Sequence, residues 1–157
     1  MQLVNRVAVA IFILDQLSKY LVVHVMRLDQ RQEVGVFPPF LNFRMAWNQG
    51  INFGLFQSGA DVMRWVLIAV ALVIAAWVWL WVRRERHQPR VLVSAGLLIG
   101  GALGNVVDRL IYGAVADFLN MSMPGIDNPY SFNVADVAIF AGALGLVFYT
   151  GRPAKAA

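Results

Sequence analysis

Cysteine is absent from the 157 residues, and histidine occurs only twice, at His24 and His87. The first absence excludes disulfides, thiolate metal sites, a cysteine nucleophile and thiol redox switching. The second leaves too few imidazoles for an ordinary zinc site, so neither a metal nor another cofactor is expected. Charge is scarce too, at 14%, against roughly 25% in a soluble domain. What fills the chain is apolar: 59% hydrophobic residues and a mean hydropathy of +0.62. A soluble fold of this size cannot hide that much apolar surface, and a disordered chain does not contain it. The class this leaves is an integral membrane protein.

Four apolar stretches, about 7–26, 62–82, 91–111 and 134–150, approach the length of about 20 residues that a spanning helix needs. Four crossings use roughly 80 residues, leaving loops but no second domain, so a single membrane domain over 1–157 is expected. The first stretch follows Arg6 as a signal peptide would, but Asp15 and Lys19 interrupt it and no small-residue cleavage site follows. It reads as a retained helix. Arg83, Arg84, Arg86 and Arg90 crowd the link between the second and third helices, Arg6 precedes the first, and Arg152 and Lys155 follow the fourth. An even number of crossings puts all three groups on one side, the cytoplasm by the positive-inside rule. The net charge of +4 is therefore mainly a topology signal. No basic face is interleaved with stacking aromatics, so nucleic acid is not an expected partner.

The two outer segments differ. In 40–48, Leu41, Phe43, Met45 and Trp47 alternate with Asn42, Arg44, Ala46 and Asn48. A period of two predicts an amphipathic strand or hairpin, about 34–56, lying on the outer surface, with Pro38-Pro39 at its start and bends at Gly50 and Gly54. Residues 112–133 carry Gly113, Pro124, Gly125 and Pro129 and read as an irregular loop.

Charged residues inside membrane helices are costly and point to function. At about 1.5 Å per residue, Asp15 falls near mid-membrane and Lys19 in the outer half. Asn105, Asp108 and Arg109 come at the outer end of the third helix. Asn133 and Asp136 open the fourth, and Asp117 lies just beyond the third. Polar groups from three helices and one loop thus converge in one outer layer, where independent polar residues would scatter in depth. Local pairings are also available. Asp15 and Lys19 have i,i+4 spacing for an ion pair, and Asn133 and Asp136 have the spacing of a capping box. Asp108 and Arg109 are neighbours that point apart. His24 and His87 are expected at solvated interfaces, and the five Trp in interfacial belts. Two carboxylates brought together at such a layer suit acid–base hydrolysis, one holding a proton while the other ionises. Depth alone does not choose among Asp108, Asp117 and Asp136.

Five blocks occur in order: Leu14-Asp-Gln-Leu-Ser-Lys19, Asn48-Gln-Gly50 with Phe53, Gly100-Gly-Ala-Leu-Gly-Asn-Val-Val-Asp-Arg109, Val115-Ala-Asp-Phe118 and Phe132-Asn-Val-Ala-Asp136. Together they resemble the bacterial lipoprotein signal peptidases (type II signal peptidases) over about residues 11–150. The resemblance implies a mainly α membrane protein, a four-transmembrane-helix bundle with a small periplasmic β-cradle and a periplasmic loop. It implies an inner-membrane aspartic endopeptidase, with cytoplasmic termini and its site near the periplasmic face. Such an enzyme cleaves prolipoproteins before a diacylglyceryl-modified cysteine and is inhibited by globomycin-type cyclic peptides. Its partners would be these substrates and membrane lipid, and a monomer is expected. By motif, Asp117 and Asp136 match the catalytic pair and Asp108 a supporting position. Asn48, Gly50, Asn105, Arg109 and Asn133 match residues around the site, and Asp15 and Lys19 the first-helix motif. The family pattern at 48–53 is Asn-Thr-Gly-Ala-Ala-Phe, from which Gln49, Ile51 and Asn52 depart; Ala116 replaces a common β-branched residue. Two other readings fit some of the same residues. A proton-coupled transporter would relay protons through its buried acids, but it would need polar groups in the inner half. A membrane-assembly factor would use the acids only to lock helices.

Overall fold

The structure is a computed structural model that describes residues 1–50, 59–84 and 88–150. Ile51, Asn52, Phe53, Gly54, Arg86, His87, Arg152 and Lys155 lie outside these residues. Helix α1 (Gln2–Lys19) passes directly into a wider π-helical turn (Tyr20–Val25), followed by the short helix α2 (Leu28–Arg31). Strands β1 (Glu33–Phe37) and β2 (Leu41–Asn48) precede helices α3 (Gly59–Arg84) and α4 (Pro89–Tyr112). Strand β3 (Val115–Asn120) and helix α5 (Val134–Thr150) follow.

Among the described residues, three helical segments are long and apolar enough to cross a membrane: Gln2–Val25, Asp61–Arg84 and Pro89–Tyr112. Val134–Thr150 is a shorter apolar helix of 17 residues, about 26 Å long. The first helix starts at Gln2 rather than near residue 7 because a helix end in water can carry Gln2, Asn5 and Arg6, which an apolar pattern does not reveal. Helix α4 is the central element. It packs against α1, α3 and α5, and it is far more buried than the other two long spans. Val78 and Val82 of α3 meet Val91, Ala95 and Ile99 of α4 in one core. The outer surfaces stay apolar: Val66, Val70, Val73 and Trp77 of α3 and Phe140 and Val147 of α5 are exposed. Apolar surface on this scale is stable against lipid and not against water. The protein is a multi-pass membrane protein.

The three strands form one antiparallel sheet in the order β1-β2-β3. The alternation in 41–48 gives β2, with the proline pair in the turn that joins it to β1. Met45 and Phe118 pack with Val22, Val23 and Leu28 in a second apolar cluster, and Phe43 meets Phe118 edge-on at 5.7 Å. This cluster seats the sheet on the end of the first helix.

The expected irregular loop over 112–133 is corrected by β3. Its first four residues are all buried, so it has no polar face and no period of two to read. The glycines and prolines that suggested a loop flank the strand. Gly113 ends α4 in a left-handed conformation, and Pro124, Gly125 and Pro129 follow β3.

Candidate active site

The sheet, α4 and α5 converge on two carboxylates. Asp117 lies in the middle of β3 and is 2% exposed. It stands opposite Ala46 of β2, and Asn48 stands opposite Val115. Asn48 is therefore the diagonal neighbour of Asp117 on the same sheet face, and its Nδ2 donates to Asp117 Oδ2 at 3.0 Å. Asn48 is itself oriented by Gly50, whose backbone N–H donates to Asn48 Oδ1 at 2.9 Å. Gly50 has φ +87°, and a Cβ there would fall 2.6 Å from Leu67 Cδ1, so the turn requires glycine. The other carboxylate oxygen, Oδ1, accepts from Asn133 Nδ2 at 2.5 Å.

Asp136 stands in the first turn of α5 and is half-buried. The capping-box spacing is realised in both directions. Asp136 N–H donates to Asn133 Oδ1 at 2.9 Å, and Asn133 N–H to Asp136 Oδ2 at 3.2 Å. Asp136 Oδ1 accepts from Asn105 Nδ2 at 2.9 Å, and Asn105 Oδ1 accepts from Asn133 Nδ2 at 3.3 Å. Asn133 is thus a helix cap and a link between the carboxylates, with its side-chain amide on Asp117 and its backbone N–H on Asp136. Every oxygen of both carboxylates has a donor, supplied by three asparagines.

Burial pushes the Asp117 carboxyl up to about 6, and the charge of Asp136 pushes in the same direction. Hydrogen bonds from Asn48 and Asn133 and the charge of Lys19 pull it back. The electrostatics are those of two acids that resist simultaneous ionisation.

Beneath the carboxylates lies a buried charged layer. Lys19 Nζ is 2.8 Å from Asp15 Oδ2 and 2.7 Å from Asp108 Oδ2, and it donates to Asn105 Oδ1 at 3.2 Å. Asp15, Lys19 and Asp108 are 0%, 4% and 1% exposed. The expected i,i+4 pair therefore exists, but α4 supplies a second acid to the same ammonium. Arg109 points elsewhere, as the neighbour argument requires. Its Nη1 donates to Asn105 O at 3.3 Å, and its Nε is buried with no partner among the described residues.

All ten candidate site residues belong to this assembly or adjoin it. Gln49, one of the departures from the family pattern, is exposed, while Ile51 and Asn52 fall outside the described residues. His24 is exposed and pairs with Tyr112 Oη at 3.0 Å, away from the carboxylates. Sequence reasoning missed Gln16. Its Nε2 donates to Asp15 Oδ2, Asp108 Oδ1 and Gly104 O at 3.1, 2.9 and 3.3 Å. Gln16 stands inside the first motif, one residue after Asp15, and that position was the available signal. The backbone amides of Ala116 and Ala135, which also bind this layer, leave no signal in side-chain pattern.

Fold and site together define a multi-pass membrane protein with a buried dicarboxylate centre at one end of its helix bundle. The family model for signal peptidase (SPase) II matches residues 7–151. The lipoprotein signal peptidase of Methylobacterium sp. (strain 4-46) is 43% identical over 143 residues, covering 91% of this chain and 85% of that protein. That of Nitrobacter hamburgensis is 39% identical over 144 residues, covering 90% and 87%. A solved bacterial membrane enzyme superposes with a TM-score of 0.76 at 27% identity, over 98% of this chain and 96% of that one. The chain belongs to the signal peptidase II family and is an aspartic peptidase. Transporter and assembly-factor readings fall with that membership.

Proposed function

We propose that this protein removes signal peptides from prolipoproteins, cutting before a diacylglyceryl-modified cysteine, with Asp117 and Asp136 as the catalytic pair. The observation that carries the reading is the shared frame around the two acids. Asn133 bonds to both, Asn105 and Asn48 complete their shells, and burial keeps a proton on the pair. The ionised carboxylate takes a proton from water as the water oxygen attacks the scissile carbonyl, and the protonated one donates to the carbonyl oxygen. The tetrahedral intermediate collapses with proton transfer to the leaving amine nitrogen, which breaks the C–N bond. The pair titrates jointly, so the shared proton belongs to the dyad. The Nε of Arg109, which has no partner among the described residues, would serve a substrate carbonyl beside the acids.

In this reading α5 is the fourth crossing, the Arg-rich link faces the cytoplasm, and the site opens near the periplasmic face of the inner membrane. The sheet and the segment 121–133 would form the rim of the cleft. A lipid-anchored substrate reaches such a site from the bilayer. Each buried methylene adds about 0.8 kcal/mol of anchoring, so the acyl chains position the bond at low cost to a small enzyme. The test is cleavage of a purified lipidated prolipoprotein in detergent. Asp117→Asn and Asp136→Asn are each expected to lower turnover by roughly 10²–10⁴-fold in folded protein that still binds substrate. Near-normal turnover by either variant would overturn the dyad. Equal cleavage of the unlipidated substrate would leave a general membrane peptidase instead.

A further inference from the structure

Each proposed catalytic acid is preceded by an alanine, Ala116 before Asp117 and Ala135 before Asp136. Neither alanine's N–H is spent on its own strand or helix ladder. Ala116 N–H donates to Asp108 Oδ2 at 3.1 Å, and Ala135 N–H donates to Asp15 Oδ1 at 2.9 Å. Those two carboxylates are joined through Lys19 Nζ, 2.8 Å from one and 2.7 Å from the other. An unbroken path thus runs from the amide before one acid, through carboxylate, ammonium and carboxylate, to the amide before the other. It ties four elements: α1 supplies Asp15 and Lys19, α4 supplies Asp108, and the bound amides lie on β3 and α5.

We infer that Lys19 is a positioning residue, the central bridge of a clamp that sets the separation of Asp117 and Asp136 by holding the backbone just before each. The inference rests on reading those two acids as the catalytic pair. Several observations favour a geometric role over a local ion pair. A pair stabilising only α1 would need one acid, yet the ammonium sits between two. Both acids spend their remaining oxygen capacity on the two backbone amides and on Gln16, which bridges them a second time. The ammonium's third contact is Asn105 Oδ1, and Asn105 in turn donates to Asp136. Lys19 is also the last α-helical residue before the π-helical turn. π-Turns re-aim the side chains next to them and recur at functional sites.

The test separates bridge from charge. Lys19→Met removes the bridge and one positive charge. Lys19→Met/Asp108→Asn removes the bridge but returns the layer to its original net charge, and the new amide oxygen still accepts from Ala116 N–H. Both are assayed in detergent on lipidated prolipoprotein beside wild type, Asp117→Asn and Asp136→Asn, with rates normalised to folded protein. Expected is a kcat lower by roughly 10- to 100-fold in both variants, the scale of a small misplacement of reacting groups, with KM within about twofold of wild type. If Lys19→Met does not fold because two buried acids face each other, the charge-restored variant decides by the same criterion. A kcat within about twofold of wild type in the charge-restored variant would overturn the clamp and leave Lys19 a charge balance. A rise in KM at unchanged kcat would overturn it in favour of substrate binding. Near-normal turnover by Asp117→Asn or Asp136→Asn would instead sink the dyad reading, whatever Lys19 does.

Discussion

At the scale of single residues, the environment of Asp117 has a consequence for pH. Its carboxyl is pushed up to about 6, first by burial and then by Asp136. The other charges nearby are Lys19 from α1 and Asp108 and Arg109 from α4. A dyad that shares one proton works only while one acid remains protonated. That proton is held below about pH 6 and lost as the pH rises through it, so kcat/KM, which reports the free enzyme, is expected to bend downward on the alkaline side near pH 6. Asn48 donates to the ionised form and so lowers this value. Asn48→Ala is expected to move the bend to higher pH, as well as to lower the rate. A kcat/KM profile that is flat from about pH 5 to 8, or a bend that moves down in Asn48→Ala, would refute this account.

The side-chain chemistry of the site was legible where partners are close in sequence. The Asp15–Lys19 spacing and the Asn133–Asp136 box are one-turn relations that any helix enforces, and both occur. The contacts of Lys19 with Asp108, and of Asp15 with the Ala135 amide, are not legible in the same way. They depend on how α1, α4 and α5 meet, and no local spacing encodes that. The motif resemblance drew these residues into one set without indicating who touches whom.

At the scale of elements, the same limit separates β2 from β3. β2 showed its alternation because one face packs on the Met45–Phe118 cluster and the other does not. β3 is enclosed by α4, β2 and the 132 segment, where Leu119 and Phe132 exchange backbone hydrogen bonds, so its sequence carries no alternation. The helices were visible as apolar runs, but their order of burial was not. Small residues set that order, because in lipid the helices associate by close packing rather than by a hydrophobic drive. Gly142 of α5 is the clearest case. A Cβ there would stand 2.6 Å from both Leu98 N and Ser94 O of α4. Both obstacles are backbone, so neither can swing aside. Gly142→Ala is expected to push α5 off α4 and to cost about 1–3 kcal/mol, read as a lowered unfolding temperature in detergent. Because Asp136 sits on α5 and is held from α4 by Asn105, activity should fall along with stability. An unfolding temperature equal to wild type would mean that the two helices are less tightly apposed than the backbone distances imply.

At the scale of the whole molecule, the proposed orientation rests on the distribution of basic residues around the apolar spans. Arg83 and Arg84 end α3, and Arg90 opens α4 on the far side of a link of a few residues. With Arg86 in that link, four cations fall close together in sequence, the pattern that the proposed orientation places in the cytoplasm. Arg27, Arg31, Arg44 and Arg64 lie at the opposite end but are spread over more than thirty positions. The dicarboxylate site lies at that same opposite end, since Asp136 is in the first turn of α5 and Asp108 near the end of α4. The arrangement also requires α5 to cross. At about 26 Å it falls a little short of the usual hydrocarbon thickness of about 30 Å, a mismatch that local thinning absorbs at modest cost. A chain without cysteine allows a direct test with single introduced thiols. Tyr130→Cys, at a position 77% exposed, is expected to react with a membrane-impermeant maleimide on intact spheroplasts. Gln88→Cys is expected to react only after the membrane is opened. Labelling of Gln88→Cys alone from outside would invert the protein and put the acids at the cytoplasmic face. Labelling of both from outside would mean an even number of crossings between them, so that α4 does not span the membrane.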